Sequence, residues 1–326
     1  MPFLSVLIPV YNGEHYLADA IESVLDQPCQ DLELIVANDG STDRSLEIAR
    51  KYESQDSRVR VITHENIGAG RTRNEGMALM DGTWSLFLDT DDAVLPDFYT
   101  EQLKDFLSWC LERDIEFIVP GRLFADETLS KAVLDRVPFD DVFPQGSDIA
   151  WNIDHEFANQ LYATQLLRRE HIQFSETRPE MESIFRHKAA FLARETLFTN
   201  ELWFTVRRDN PYQTTKIWDL KKVHPVREQE LAKLVKWHED RGTTGFVLEE
   251  ARRQHDSAVA QVEEDRRHKG LRERIKTALQ ERRGRKDWEA WHAENSRPVS
   301  DFVLDENQQR EAIERIEGLV KQKLGD

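Results

Sequence analysis

The hydrophobic pattern alternates between two kinds of segment along the first third of the chain. Short apolar runs bounded by polar or turn residues are typical of strands buried on both faces. Apolar positions at helical spacing follow these runs, as at Leu17, Ile21 and Val24. Because strands and helices alternate with short connections, the pattern predicts a doubly wound, mostly parallel α/β sheet with helices on both faces. Strands are expected at 3–10, 32–37, 59–63, 116–119 and in a run ending at Asp89, and helices at 14–26, 45–52, 71–80 and 97–113.

The pattern is less regular in the middle of the chain and becomes strongly helical at its end. Helical spacing appears at 161–169 and 180–192, and a strand is expected at 201–208. After Pro225, glycine and proline become rare, and helices are expected at 228–241, 246–280, 286–294 and 305–323. The predicted domains are therefore 1–224 and a helical C-terminal extension at 225–326. This extension is either an amphipathic bundle packed on the first domain or a module for oligomerisation or partner binding.

Three carboxylates follow the fourth apolar run within four positions. Asp89, Asp91 and Asp92 come directly after Leu88. Ligands of open α/β sheets bind just beyond the carboxyl ends of the strands. Clustered carboxylates repel one another unless a cation neutralises them, and hard oxygen ligands favour a divalent ion. A solvated acidic turn or a helix cap is the alternative interpretation.

Composition and charge limit the partners and the compartment. The 326 residues carry a formal net charge of −17, which argues against nucleic acid because phosphate binding requires clustered cations. Cys29 and Cys110 have no metal-like spacing, and free thiols are typical of the reduced cytoplasm. We find neither a signal-peptide pattern nor an apolar run long enough to span a bilayer, so any membrane contact is expected to be peripheral.

Four motifs follow one another between Ser5 and Asp92. They are Ser5-Val6-Leu7-Ile8-Pro9-Val10-Tyr11-Asn12, Asn38-Asp39-Gly40-Ser41-Thr42-Asp43, Asn66-Ile67-Gly68 with Arg73-Asn74-Glu75-Gly76, and Leu88-Asp89-Thr90-Asp91-Asp92. In this order and spacing they resemble inverting family 2 glycosyltransferases of the GT-A fold. The resemblance covers residues 3 to about 215 and leaves the C-terminal extension unexplained. Within the family, the segment 166–182 is most similar to enzymes that decorate teichoic acids or capsular polymers.

The resemblance implies a role for each matching residue. Asp39 would read the base of the nucleotide, which is typically uracil, and Asp91 and Asp92 would hold Mn²⁺ or Mg²⁺ against the diphosphate. Asn38, where the family often has Asp, is a departure at a position that need not touch the ligand. Other residues expected to contact the nucleotide-sugar are Pro9, Tyr11, Arg73, Asn74, Asp89 and Arg207, with Arg208 beside the last. A solvated strand end is the alternative interpretation of Arg207 and Arg208.

An inverting transfer also requires a base for the acceptor hydroxyl. The family places an acidic residue three positions before an aromatic or bulky apolar residue at the start of a helix. Glu182 stands three positions before Phe185 and is the candidate base, with Glu180 as the alternative. The family usually has Asp at this position, which puts the placement of the longer Glu182 side chain in question. A first-turn carboxylate that only stabilises the helix is the other interpretation.

The sequence thus predicts a cytoplasmic, metal-dependent glycosyltransferase that moves a sugar from a nucleotide-sugar, with UDP-sugars favoured. A cell-surface glycan, a teichoic-acid-like polymer or a lipid-linked precursor is the expected acceptor. Two alternatives stay open. A nucleotidyltransferase would need an early glycine-rich loop, which the chain lacks. A binding scaffold that has lost its base would use the helical extension for partners. Oligomerisation through those helices is a further possibility.

Overall fold

The structure is a computed structural model that describes six stretches of the chain. These are residues 1–135, 140–151, 160–176, 181–207, 220–267 and 295–325. The predicted helix at 286–294 and the end of the one at 246–280 lie outside the described residues, as do Glu180 and Arg208.

Ten strands and nine α-helices make up the described part of the chain. The strands are β1 (Leu4–Val10), β2 (Leu32–Asn38), β3 (Val59–Thr63), β4 (Trp84–Phe87), β5 (Ile115–Ala125), β6 (Lys131–Asp135), β7 (Asp141–Pro144), β8 (Leu161–Ala163), β9 (Glu195–Arg207) and β10 (Arg297–Pro298). The helices are α1 (Leu17–Leu25), α2 (Ser45–Gln55), α3 (Ala69–Met77), α4 (Glu101–Glu112), α5 (Thr164–Arg169), α6 (Met181–Leu192), α7 (Leu220–Asp240), α8 (Phe246–Arg267) and α9 (Glu306–Leu324).

The described strands form one mixed sheet, and the predicted α/β fold class with a helical C-terminal region is confirmed. The order along the sheet is β10-β6-β5-β8-β4-β1-β2-β3, with β9 beside β5 and β7 beside β9. Strands β1 to β4 are parallel, as the alternation predicts. Beyond β4 most pairings are antiparallel, beginning with β8, which lies between β4 and β5.

The prediction of a helix at 161–169 is wrong for the first three residues, which form β8. Tyr162 pairs with Ser85 of β4 and with Phe117 of β5, and its ring stacks on Phe117 with centroids 4.7 Å apart. A short apolar run fits a buried strand and a buried helix equally well by periodicity. The sheet edge presented by β4 and β5 decides the conformation.

The core lies on both faces of the parallel strands. The side chains of Leu7, Ile8, Ile35, Val36 and Phe87 are fully buried, as expected for strands covered on both sides. Their carboxyl ends meet at one edge, so the loops that follow β1, β2 and β4 are brought together. The candidate site is built from these loops and from α3 and α6.

The C-terminal helices pack against the rest of the chain. Apolar residues of α9 (Ile313, Ile316, Val320) belong to the main buried cluster, together with Phe106 and Cys110 of α4. Asp305 begins α9 with a capping box, since its side chain accepts hydrogen bonds from the backbone amides of Asn307 and Gln308. No helix among the described stretches is both long enough and apolar enough to cross a membrane.

Helices α7 and α8 form a second contact with the sheet domain through α6. Ile184 of α6 joins Leu231 and Leu234 of α7 and Ala258 of α8 in a separate buried cluster. Helix α7 begins at Leu220, so Pro225 lies inside it. The boundary between 1–224 and 225–326 therefore falls within a helix, and the division into two domains stays a prediction.

Candidate functional site

The loops after β1 and β2 are joined by hydrogen bonds. Asn12 accepts a hydrogen bond from the Thr42 amide (2.8 Å), and the Glu14 amide donates to Asp43 (3.0 Å). Burial opposes ionisation of Asp43, but hydrogen bonds from Ser45 and the Glu14 amide outweigh it and lower the pKa of Asp43 below its ordinary value. These bonds keep the polar strand ends in a fixed arrangement.

Pro9 and Tyr11 lie on the β1 side of this arrangement. The Pro9 carbonyl accepts a hydrogen bond from Thr90 Oγ1 (2.6 Å). This bond joins the end of β1 to the loop Asp89–Asp92 after β4, here termed the aspartate loop. Tyr11 is 53% exposed, so its ring is available to a ligand. The predicted nucleotide contacts of both residues stay predictions.

Asp39 is buried at the end of β2 and already binds two backbone amides. Its carboxylate accepts hydrogen bonds from the Ile67 amide (2.7 Å) and the Gly68 amide (3.1 Å). His64 Nδ1 lies 3.6 Å from the same carboxylate. Asp39 therefore holds the loop before α3 in place. The same carboxylate is predicted to read the base of the nucleotide.

Arg73 brings residues from three separate parts of the chain together. Its guanidinium donates to Asp89 Oδ1 (2.7 Å) and lies 3.3 Å from Glu182 Oε1. The Arg73 side chain is 5% exposed, whereas the side chains of Asp89 and Glu182 are 35% and 27% exposed. The candidate base on α6 is thereby placed next to the aspartate loop after β4.

An aromatic cluster beneath Arg73 fixes the position of α6. Phe185, one helical turn after Glu182, is fully buried and stacks on Phe174 with ring centroids 3.8 Å apart and an interplanar angle of 4°. Both rings also contact Phe87, the last residue of β4. Because Phe87 precedes Asp89 by two positions, this cluster sets the distance between α6 and the aspartate loop.

The side chains of Asn74 and Arg207 contact other parts of the protein. The Asn74 amide donates to the Phe174 carbonyl and accepts from the Phe174 amide, both at 2.9 Å. The Arg207 guanidinium lies over the Tyr16 ring (4.4 Å) and 3.2 Å from Asp19 of α1. Their predicted contacts with the nucleotide-sugar are untested, and these structural contacts are what the side chains make here.

The residues predicted to bind metal lie in the same loop as Asp89. Asp92 is buried and accepts a hydrogen bond from the Arg207 amide (2.8 Å), while Asp91 is partly exposed. Within the described ranges, no three His, Cys, Asp or Glu side chains are grouped closely enough to hold a metal ion by themselves. A pair of carboxylates nevertheless fits Mg²⁺ or Mn²⁺, since such ions complete their coordination with substrate phosphates and water.

Phe174 is a site residue that sequence reasoning missed. Its ring lies 5.6 Å from the Arg73 guanidinium, in the range of a cation–π contact. The only sequence signal was the alternation of apolar Ile172 and Phe174 in a polar segment. That signal is too short to separate a site residue from an ordinary buried one.

Comparisons with known proteins agree with the fold and the motifs. Residues 5–109 match the model of the family described as Glycosyl transferase family 2. EpsJ of Bacillus subtilis, named an uncharacterized glycosyltransferase, is 29% identical over 227 residues, which are 67% of this chain and 64% of that protein. EpsH of the same organism is 40% identical over 103 residues, 32% of this chain and 30% of that protein. The chain thus spans less than two thirds of either relative.

The fold is also similar to that of S. aureus TarS, residues 1–349, solved in complex with UDP-GlcNAc. The two share 21% identity with a TM-score of 0.59, and the match covers 78% of this chain and 73% of the TarS chain. At this identity the similarity concerns the fold. Residues 5–109 therefore match glycosyl transferase family 2, and the chain has a fold similar to that of TarS.

Proposed function

We propose that this chain transfers a sugar from a nucleotide-sugar to a hydroxyl group, with inversion at the anomeric carbon. The observation that carries the proposal is the contact of Arg73 with both Glu182 and Asp89. It supports the proposal because Glu182, the proposed base, lies near the loop that is proposed to hold the diphosphate. This arrangement favours an enzyme over a binding scaffold that has lost its base.

Each residue has a defined task in this reaction. Glu182 accepts the proton of the acceptor hydroxyl, whose oxygen forms a bond to the anomeric carbon. The bond between that carbon and the phosphate oxygen breaks, and the nucleoside diphosphate leaves with both electrons. A divalent ion bound by Asp91 and Asp92 would offset the charge that develops on the leaving diphosphate. Arg73 orients the Glu182 carboxylate before the acceptor arrives.

The donor is proposed to be a UDP-sugar. Asp39 stands at the strand end where the family reads the base, with a carboxylate that can accept a hydrogen bond from uracil. TarS was solved with UDP-GlcNAc, so this donor is the first to test. The proposed acceptor is a cell-surface glycan, a teichoic-acid-like polymer or its lipid-linked precursor, met at the cytoplasmic side of a membrane. The division into a catalytic domain at 1–224 and a helical extension at 225–326 belongs to the same proposal.

Glu182→Gln tests the proposal because it keeps the size of the side chain and removes the base. Transfer is expected to fall by about 10²–10⁴-fold, the usual contribution of general-base catalysis. UDP binding measured by calorimetry is expected to stay unchanged, because the carboxylate serves the acceptor. Glu112→Gln, at an exposed carboxylate at the end of α4, is the matched control.

Two results would contradict the assignment. If Glu180→Gln abolishes transfer and Glu182→Gln retains it, the base is Glu180 and not Glu182. UDP-sugar binding without transfer to any acceptor or to water, in the unaltered protein, would support the binding scaffold instead.

A further inference from the structure

Residues 172–176, here termed the connecting segment, lead towards the helix that carries Glu182. On one side they lie against α3. The Asn74 side chain binds both backbone groups of Phe174, and a Cβ atom at Gly70 would lie 2.0 Å from the Ser175 carbonyl oxygen. Only glycine allows this approach, since real side chains do not tolerate such a distance. The connecting segment is therefore closely fitted to α3.

On the other side the same segment is bound by the C-terminal helix α7. Ser175 Oγ donates to Glu230 Oε2 at 2.6 Å. The Glu230 side chain is 4% exposed, and Lys233 of the next turn donates to its other oxygen. A carboxylate is costly to bury without donors, and Ser175 and Lys233 supply them here.

Helix α6 itself is also seated on α7. Ile184 packs against Leu231 and Leu234, and His187 Nε2 lies 2.9 Å from His238 Nε2. The connecting segment before Glu182 and the helix after it thus both contact α7. The pairing of Glu182 with Arg73 thus has support from α7 in addition to the aromatic cluster beneath Arg73.

We propose that Glu230 is a positioning residue for the transfer reaction, acting through Ser175 to hold the connecting segment and so the candidate base Glu182. The inference rests on the proposed function. It makes α7 a part of the machinery that orients the base, although the family model ends at residue 109. Glu230 does not touch the substrates.

The test measures steady-state transfer by Glu230→Ala, Glu230→Gln and Ser175→Ala in the full chain, with UDP release as the readout. We expect kcat to fall by about 10- to 100-fold in Glu230→Ala, since a misplacement of about 1 Å can cost 10²-fold. The KM for the nucleotide-sugar is expected to stay at the unaltered value, because Asp39 and the aspartate loop lie outside the contact. Glu230→Gln keeps an oxygen that accepts from Ser175 and should recover most of kcat.

Ser175→Ala removes the same bond from the other partner and serves where Glu230→Ala does not fold. It should reproduce the loss of kcat, and the double variant should lose no more than either single one, as for two halves of one interaction. Glu239→Ala is the control, because Glu239 lies on the same helix with its side chain 46% exposed. It should retain the unaltered kcat.

The results separate the inference from the function on which it rests. Unaltered kcat in Ser175→Ala and Glu230→Ala, from a protein that does transfer sugar, overturns the positioning role alone. A parallel rise in KM for the nucleotide-sugar, with kcat retained, also overturns it. An unaltered protein that releases no UDP from any UDP-sugar overturns the proposed function and the positioning role together.

Discussion

The buried pair of histidines between α6 and α7 makes the stability of this protein dependent on pH in a defined way. His187 Nδ1 donates to the Ala150 carbonyl (3.3 Å), its Nε2 accepts from His238 Nε2 (2.9 Å), and His238 Nδ1 accepts from Thr243 Oγ1 (3.3 Å). These directions are those of two neutral imidazoles, since the Ala150 carbonyl can only accept a hydrogen bond. Burial is the main cause that lowers the pKa of His187 to about 3 and that of His238 to about 4, from 6.5.

The direction and size of the effect follow from proton uptake on unfolding. Because both pKa values are lower in the folded protein, the stabilisation is complete above about pH 6.5 and is lost as the pH falls towards 4. At pH 5 the folded pair is still neutral, whereas each unfolded histidine is almost fully protonated. That difference amounts to about 2 kcal/mol for each histidine, and about 4 kcal/mol for the pair, between pH 7 and pH 5.

Urea unfolding at pH 7 and pH 5 measures this loss. In His238→Gln the amide still donates to His187 but does not titrate, so the fall in the free energy of unfolding should shrink by about 2 kcal/mol. His15→Gln is the control, since the His15 side chain is 54% exposed. If His238→Gln and the unaltered protein lose the same free energy between the two pH values, the neutral buried pair is refuted.

Three further predictions concern the loops of the site. Asp91→Asn should lower transfer by about 10²-fold or more while the melting temperature stays unchanged, because it removes a ligand from the proposed metal, and full activity in excess EDTA would contradict this. Asp39→Ala should narrow the preference for UDP over GDP by about 1.5–3 kcal/mol, the worth of a charged hydrogen bond, and should also destabilise the fold. Calorimetry that finds equal affinities of the unaltered protein for UDP and GDP would rule this out. Asn74→Ala should lower the free energy of unfolding by about 2–4 kcal/mol in urea titrations, since two backbone groups of Phe174 lose their partner. Asn74→Asp should have an intermediate effect. Unchanged stability would contradict a structural role for the two hydrogen bonds between Asn74 and Phe174.

The sequence by itself determined the parts of this protein that depend on local pattern. Strand β3 begins and ends at the residues that its apolar run predicts, and β1, β2 and β4 differ from expectation by a few residues. The residues at their carboxyl ends, among them Asp39 and Asp89, were found from the same pattern. Local pattern suffices here because the spacing of apolar positions reports directly which face of an element is buried.

Only the tertiary structure decided which of these residues meet. Nothing in the neighbourhood of Arg73, Asp89 or Glu182 in the chain states that one guanidinium joins both carboxylates. The antiparallel insertion of β8 and the contact of Glu230 with Ser175 were equally absent from the sequence pattern. Such pairings depend on the packing of whole elements, since β-strand formation and buried ion pairs take their energy from neighbours distant in the chain.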